Sequence, residues 1–360
     1  MTTNVVNKTE VRVPLVIWIV LAVVGLGGLG IAWGLQLAQG MSITGISQQV
    51  VWGLYIAGFF TAMGAGAALL VFAAISEFSA LFPIARRNTS LFLALVNFVI
   101  GGLLITMDIG NPINLWRILT AGRFSSMMTW DFFVLIITGI LTLVYLIFSW
   151  EQTTSTLITR ILGILGMVCA VALVVVEGWM LAVLSAHPLW NGGLTVISFL
   201  VVALVAGLAV AMLAWPEIAP KLSNWLMVGL WVMLAFVLVE ILTGAIAVEV
   251  RPHPEVSLLV AGVASPMFWV YLIIGTLAPL VILFWQKNLL WMRIAAALAL
   301  LGVLLEKLWL LTAGQAIPWL ALPQGSYVPT WVEWLGLVGA IALAALLYLG
   351  VGKLVRMKEV

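Results

Sequence analysis

Charge is what this chain has least of. Only 8% of its 360 residues are Asp, Glu, Lys or Arg, against 64% hydrophobic ones. With a mean hydropathy of +1.25, a soluble globule is excluded, because such a chain has too little polar surface to meet water on its outside. Cysteine is nearly absent too. Cys169 stands alone inside an apolar run, so neither a disulfide framework nor an iron-sulfur cluster can be built from this chain, and any cluster must belong to a partner. Histidine occurs twice, as His187 and His253, both beside prolines in loops. A transmembrane haem would need histidines at membrane depth, so a b-type cytochrome is disfavoured. Zinc spacing, a phosphate-binding loop and a catalytic triad are also missing from the sequence, and no metal site is expected.

What is present is a succession of apolar runs. A helix needs roughly 20 apolar residues to cross a bilayer. By that measure the sequence predicts an all-α polytopic membrane protein of about ten spans, near 14–39, 48–76, 88–107, 127–150, 159–184, 191–214, 222–248, 263–285, 289–312 and 331–353. No run alternates apolar and polar residues as barrel strands would. The first span, preceded by Lys8 and Arg12 and lacking a clear small-residue cleavage site, reads as a retained signal anchor.

The basic residues set the orientation. Lys8, Arg12, Arg86, Arg87, Arg160, Lys221, Lys287, Arg293, Lys353, Arg356 and Lys358 fall on the side of the N-terminus. Only Arg117, Arg123 and Arg251 fall opposite, and Lys307 lies within the ninth span. The positive-inside rule then places both termini in the cytoplasm of a cell whose inner, or plasma, membrane holds the protein. The longer loops, 108–126, 185–191, 249–262 and 313–330, face outward, where recognition is expected. Trp18, Trp150, Trp215, Trp285 and Trp331 lie near span ends, as interfacial anchors do.

Ionisable groups inside spans are costly and mark function. Glu177, Glu240 and Glu306 lie six to eight residues before the external ends of their spans, about 10 Å deep at 1.5 Å per residue. Three acids at one level predict a shared polar chamber. Glu306 and Lys307 are adjacent, and neighbouring helical residues do not face each other, so no pairing is assumed. Asp108 ends the third span, where the helix dipole is negative and gives a carboxylate nothing. Asp131 opens the fourth behind Ser126 and Thr129, where an acid is ordinarily favourable as part of a cap.

Between these two aspartates runs MDIGNPINLWRILTAGRFSSMMTWDFF, Met107 to Phe133, a polar island in an oily chain. Asn111 and Pro112 are a good helix start, and 113–120 can form a short surface helix with Leu115, Ile118 and Leu119 on one side and Arg117 at the membrane surface. Headgroup contact and a functional role compete as explanations of Arg117 and Arg123. His187, in SAHPLWN, reads as a solvated interfacial residue or a proton carrier. The small residues of the second span permit close helix approach, and Tyr55, placed two turns in from its external end, is suited to hydrogen-bond a ligand. Val174 to Trp190 resembles Val303 to Leu320, as a parallel duplication of a four-helix unit would produce.

Together, WGLYIAGFF in the second span, MDIGNPINLWRILTAGRF after the third, SSMMTWDFF opening the fourth and SAHPLWN after the fifth resemble the NrfD-like family, the membrane subunits of polysulfide reductase and related complexes. The resemblance implies two four-helix bundles, here with an extra helix at each end. The divisions are then 1–47 (tail and first helix), 48–190 (first bundle with the quinol site), 191–320 (second bundle) and 321–360 (last helix and tail). It implies a quinol-binding anchor that carries no haem or iron-sulfur cluster of its own, with menaquinone the expected species in an anaerobic respiratory chain. The implied partners are a four-cluster ferredoxin-like iron-sulfur subunit, a molybdopterin catalytic subunit and membrane lipid, with no nucleic acid among them. Carried over by position, Asp108, Trp130 and Asp131 fall around the quinol pocket and its proton path. Glu177 and His187 join the candidate proton-handling residues, and Tyr55, Gln49 and Arg117 the candidate quinol-binding ones. The chain departs from the polysulfide reductase pattern in two places. Apolar residues around Leu54 to Gly58, with Tyr55 and Gln49 nearby, replace an Asn and a His, and His187 replaces the Arg after the fifth span. Membrane acids together with a repeat also fit a secondary transporter or ion-translocating protein, the alternative reading.

Overall fold

The computed structural model describes residues 14–151, 155–187, 189–246, 262, 265–316 and 325–357. Among the described residues ten helices are long and apolar enough to span a membrane: Leu15–Gln39, Leu54–Ile75, Ile84–Asp108, Met127–Trp150, Thr156–Ala182, Gly193–Ala214, Ala219–Thr243, Ser265–Trp285, Leu289–Ala316 and Trp331–Gly350. No strand occurs among the described residues, as expected where backbone polar groups must be satisfied within each crossing segment.

Spans two to five form one four-helix bundle and spans six to nine a second, joined where the second span lies against the sixth and ninth and the fifth against the sixth. The second span is the hub. Nearly all of its residues are buried, and its small side chains let neighbouring backbones close in. A Cβ added to Gly207 of the sixth span would lie 2.3 Å from the Cβ of Ala68, and one added to Gly64 3.0 Å from that of Ala203. Without a hydrophobic drive between helices in lipid, such close van der Waals approach is a main source of association. The tenth span lies against the third and, less extensively, the second, and the first span packs on the tenth, so both extra helices lie on the same flank of the first bundle.

Two spans contain π-helical turns, Val23–Gly27 and Tyr271–Leu277. The second precedes Pro279, whose ring opposes a regular ladder to the carbonyl four residues back. Glu77 closes the face of the first bundle opposite Asp108. It pairs with Arg87 at 2.7 Å and accepts from the hydroxyls of Tyr145 at 3.0 Å and Thr159 at 3.2 Å.

The second span starts at Leu54, not near 48. Val51 and Trp52 donate their amides to Oε1 of Gln315 at 2.9 and 3.1 Å, which holds this apolar stretch out of the helix. Tyr55 is therefore the second residue of its helix, not two turns in. The short surface helix appears as a tight turn at Pro112–Asn114 followed by Trp116–Ala121. Residues 249–261, with Arg251 and His253, lie outside the described residues.

Because Gly207 is where the two bundles meet, Gly207→Val should cost about 1–3 kcal/mol of overpacking. In thermal unfolding of the detergent-solubilised protein it should melt lower than Gly102→Ala, since a Cβ at Gly102 would meet nothing within 4 Å. Equal melting of the two variants would contradict this packing.

Candidate functional site at the Asp108 face

The loop residues 40–53, 109–126 and 325–330 gather at one face, and a single carboxylate ties several of them. Glu333, 1% exposed near the start of the tenth span, accepts from the amide of Gly45 at 2.7 Å and that of Thr330 at 2.9 Å. The Thr330 hydroxyl adds a bond at 3.2 Å and the Tyr327 hydroxyl one at 2.5 Å. The Tyr327 oxygen in turn accepts from the amide of Leu54 at 2.8 Å, capping the second span. Burial, then the Glu333 charge beside it, pushes the Tyr327 phenol above the ordinary range, so it stays a donor.

Next to this knot, Tyr55 is buried, with its hydroxyl donating to the Val332 carbonyl at 3.3 Å and accepting from Nε2 of Gln36 at 3.1 Å. Asp108 ends the third span within electrostatic reach of Glu333 and Tyr55. It is half-buried, and among the described residues no group donates to it. An anionic or neutral acid with open acceptor capacity beside a satisfied polar cluster is available to a ligand.

A second group clamps the loops. Gln315 also donates to the Trp52 carbonyl at 3.0 Å, and Trp52 stacks on Trp190 with centroids 5.7 Å apart. Trp190 donates its indole N–H to the Leu310 carbonyl at 2.7 Å. His187, with its ring 4.4 Å from that of Trp190, places Nδ1 2.6 Å from the Gly314 carbonyl oxygen. The expectation of a solvated histidine gives way here, because a carbonyl acceptor and an indole face hold the ring against the end of the ninth span.

The third group is buried between the bundles. Asp131, expected to cap the fourth span, is its fifth residue, only 5% exposed, with Oδ1 unpartnered among the described residues. Neither Glu177 oxygen has a hydrogen-bond partner there either, and Glu177 senses both Asp131 and Lys307. Lys307 pairs with Glu306 at 3.1 Å and lies 3.3 Å from the centroid of Phe199. The pairing that adjacency in a helix gave no reason to assume is thus present. Both are buried, where each charge is more costly alone than paired, and their side chains bend to meet. The shared chamber is corrected as well. Glu240 and Glu306, with Tyr271 and Trp309, line a cavity of about 230 Å³ in the second bundle, while Glu177 faces Lys307 across a tight helix contact with no such space.

The eight candidate residues therefore separate. Tyr55 and Asp108 share the Glu333 neighbourhood, Asp131 and Glu177 share the buried row, and His187 belongs to the tryptophan clamp. Gln49 lies in the loop before the second span, accepting at 3.5 Å from the Ser47 hydroxyl. Arg117 is exposed on the short helix, and Trp130 is exposed with its indole donating to the Phe124 carbonyl at 2.8 Å. Gln36, Gln315, Tyr327 and Glu333 were missed. Thr330 followed three residues later by Glu333, ahead of an apolar run, has the form of a capping box. That reading is correct for the Thr330 amide and conceals the longer-range bonds.

Residues 42–319 match the family described as polysulphide reductase, NrfD, and the chain belongs to that family; it is a multi-pass membrane protein. A putative dimethyl sulfoxide reductase membrane subunit of Halobacterium salinarum is 27% identical, over 91% of this chain and 87% of its own length. An Hdr-like menaquinol oxidoreductase integral membrane subunit of Archaeoglobus fulgidus is 26% identical, over 86% and 85%. A selenate reductase subunit of Mesobacillus selenatarsenatis is 26% identical, over 52% of each chain. Gln36, Tyr327 and Glu333 all lie outside the family match.

Removing the Glu333 carboxylate strands the buried Tyr327 hydroxyl and the Gly45 amide, at about 1–3 kcal/mol for each donor left without an acceptor. Glu333→Ala should unfold at a lower temperature than Glu333→Gln, which keeps one acceptor oxygen. A Glu333→Ala protein as stable as Glu333→Gln would contradict the network.

Proposed function

We propose that this protein is the quinol-binding membrane anchor of a multi-subunit oxidoreductase. It exchanges electrons between the membrane quinone pool and an iron-sulfur subunit docked on the face that carries residues 109–126. The observation that carries this reading is Asp108, a half-buried carboxylate at the end of a membrane helix, with no donor among the described residues and with the Tyr55 and Glu333 cluster beside it. Oxidation of a quinol releases two protons with two electrons, and it needs a base within hydrogen-bond reach of a ring hydroxyl. Asp108 supplies that acceptor. Gln36, Tyr55 and Glu333 hold the surrounding backbone, and the buried carboxylates Asp131 and Glu177 are further proton-handling candidates.

Electrons then have to leave through a partner, since the single Cys169 cannot hold a cluster. The island offers a docking surface, with Ile113, Trp116 and Phe124 exposed at 78%, 58% and 64% beside the exposed Arg117 and Arg123. Aromatic and arginine side chains of this kind dominate binding at protein interfaces. The iron-sulfur partner would feed a molybdopterin catalytic subunit, as the resemblance implies; two relatives are named as subunits of reductases. Menaquinol as the quinol is supported by the relative named as a menaquinol oxidoreductase subunit. The distribution of Lys and Arg supports an external position for the Asp108 face and cytoplasmic termini in the plasma membrane.

In the assembled complex, Asp108→Asn should lower quinol-linked electron transfer about 100-fold. Subunit stoichiometry on size-exclusion chromatography should stay unchanged. Full activity in the variant would overturn the assignment.

A further inference from the structure

The buried ionisable groups between the bundles do not balance. Asp131, Glu177 and Glu306 face one lysine, Lys307, and all four are 6% exposed or less. Lys307 is engaged by Glu306 at 3.1 Å and by the ring of Phe199, while both Glu177 oxygens and one of Asp131 accept nothing among the described residues. Carboxylates left over in so dry a place neutralise by taking up protons, because an unpaired buried ion costs far more than a buried neutral acid. The groups also form a line. Asp131 on the fourth span lies within electrostatic reach of Glu177 on the fifth, Glu177 and Lys307 line one helix contact, and Glu306 faces the second-bundle cavity with Glu240 and Tyr271. The island end of the row is Asp131, two residues beyond Thr129, whose Cγ2 would lie 3.0 Å from a Cβ added to Gly122. At the other end, the cavity of about 230 Å³ has room for several waters and reaches the loop after the fifth span at the exposed Asn191.

We infer that this row stores protons and hands them sideways from the first bundle to the second-bundle cavity, their outlet to water on the Asp108 side. The inference rests on the quinol-binding reading of the Asp108 face. A subunit docked over residues 109–126 covers that end of the first bundle, so protons set free beneath it need another way out. The opposite face offers none, because Glu77 closes it with a carboxylate already filled by Arg87, Tyr145 and Thr159. For each proton that enters at Asp131, one leaves Glu306 for a water in the cavity, and the row ends with the charge it began with. Asp131 passes its proton to Glu177, and Lys307 gives one to Glu306 as it takes one from Glu177. Thr195 and Ser198 on the cavity wall donate to the Trp190 and Thr195 carbonyls, which leaves their oxygen lone pairs to order water. Entry and exit lie toward the same face, so the passage carries no charge across the bilayer.

The store is tested without turnover. Infrared difference spectra of the full chain in nanodiscs, exchanged between H2O and D2O at neutral pH, read the carbonyl stretch of protonated carboxylic acids directly. Glu177→Gln and Asp131→Asn should each remove part of that band; a band that both variants leave unchanged overturns the store. The outlet is tested in the assembled complex with menadiol as electron donor. Glu177→Gln, and Ser198→Leu, which fills the cavity, should each lower kcat about tenfold, leave KM alone and raise the solvent deuterium isotope effect. Imidazole, a small proton carrier, should restore part of the rate to Glu177→Gln. A merely structural role would lower the melting temperature and move neither the isotope effect nor the response to imidazole. Unchanged kcat and isotope effect in both variants overturn the outlet while leaving quinol oxidation standing. Failure of the unaltered complex to oxidise menadiol or menaquinol overturns the quinol reading and the outlet with it.

Discussion

The carboxylate of Glu333 is the constraint on which the Asp108 face depends. One buried acid takes bonds from Gly45, Tyr327 and Thr330, and through Tyr327 it caps the second span at Leu54. A buried carboxylate is costly unless its lone pairs are filled. Here filling them ties residues 45–54 to residues 327–333, two stretches far apart in sequence. Tyr55 and Asp108 take their places from that arrangement, Tyr55 because the helix is made to start at its neighbour, and Asp108 because the tenth span is held against the third.

Elsewhere the chain leaves buried acids less well satisfied. Glu177 and one oxygen of Asp131 accept nothing among the described residues, and Lys307 is held by Glu306 and the face of Phe199. In a low-dielectric interior, arrangements of this sort are kept for function more readily than for stability, since apolar replacements would pack without the desolvation cost. The row crosses the junction of the two bundles, where Gly64 and Gly207 also allow close helix approach.

The spans were legible because twenty apolar residues in succession admit few alternatives, and the fourth, Met127–Trp150, falls where expected. The start of the second was not. Val50 to Gly53 read as helix by hydrophobicity, whereas Gln315, more than 260 residues away, takes the amides of Val51 and Trp52, and the Ser47 hydroxyl takes that of Val50. The candidate site was half legible. Asp108 stood out because no local role excused it, whereas Glu333 went unnoticed, since its spacing from Thr330 carries the local pattern of a capping box and nothing of its bonds to Gly45 and Tyr327. Asp131 was misread for a related reason: Ser126 and Thr129 resemble a cap, yet the aspartate lies a turn too far along and turns inward. The pairing of the first span with the tenth could not be read at all, since apolar helices carry little in their composition to say which neighbour they choose.

The most direct test of the account is the position of the quinone in the assembled complex. A photoreactive menaquinone analogue, labelled on its ring, would be cross-linked and the modified peptides mapped by mass spectrometry. The account predicts ring labels at the end of the third span around Asp108 and at the start of the tenth around Glu333. Labels confined to the second-bundle cavity around Glu240 and Glu306 would contradict it.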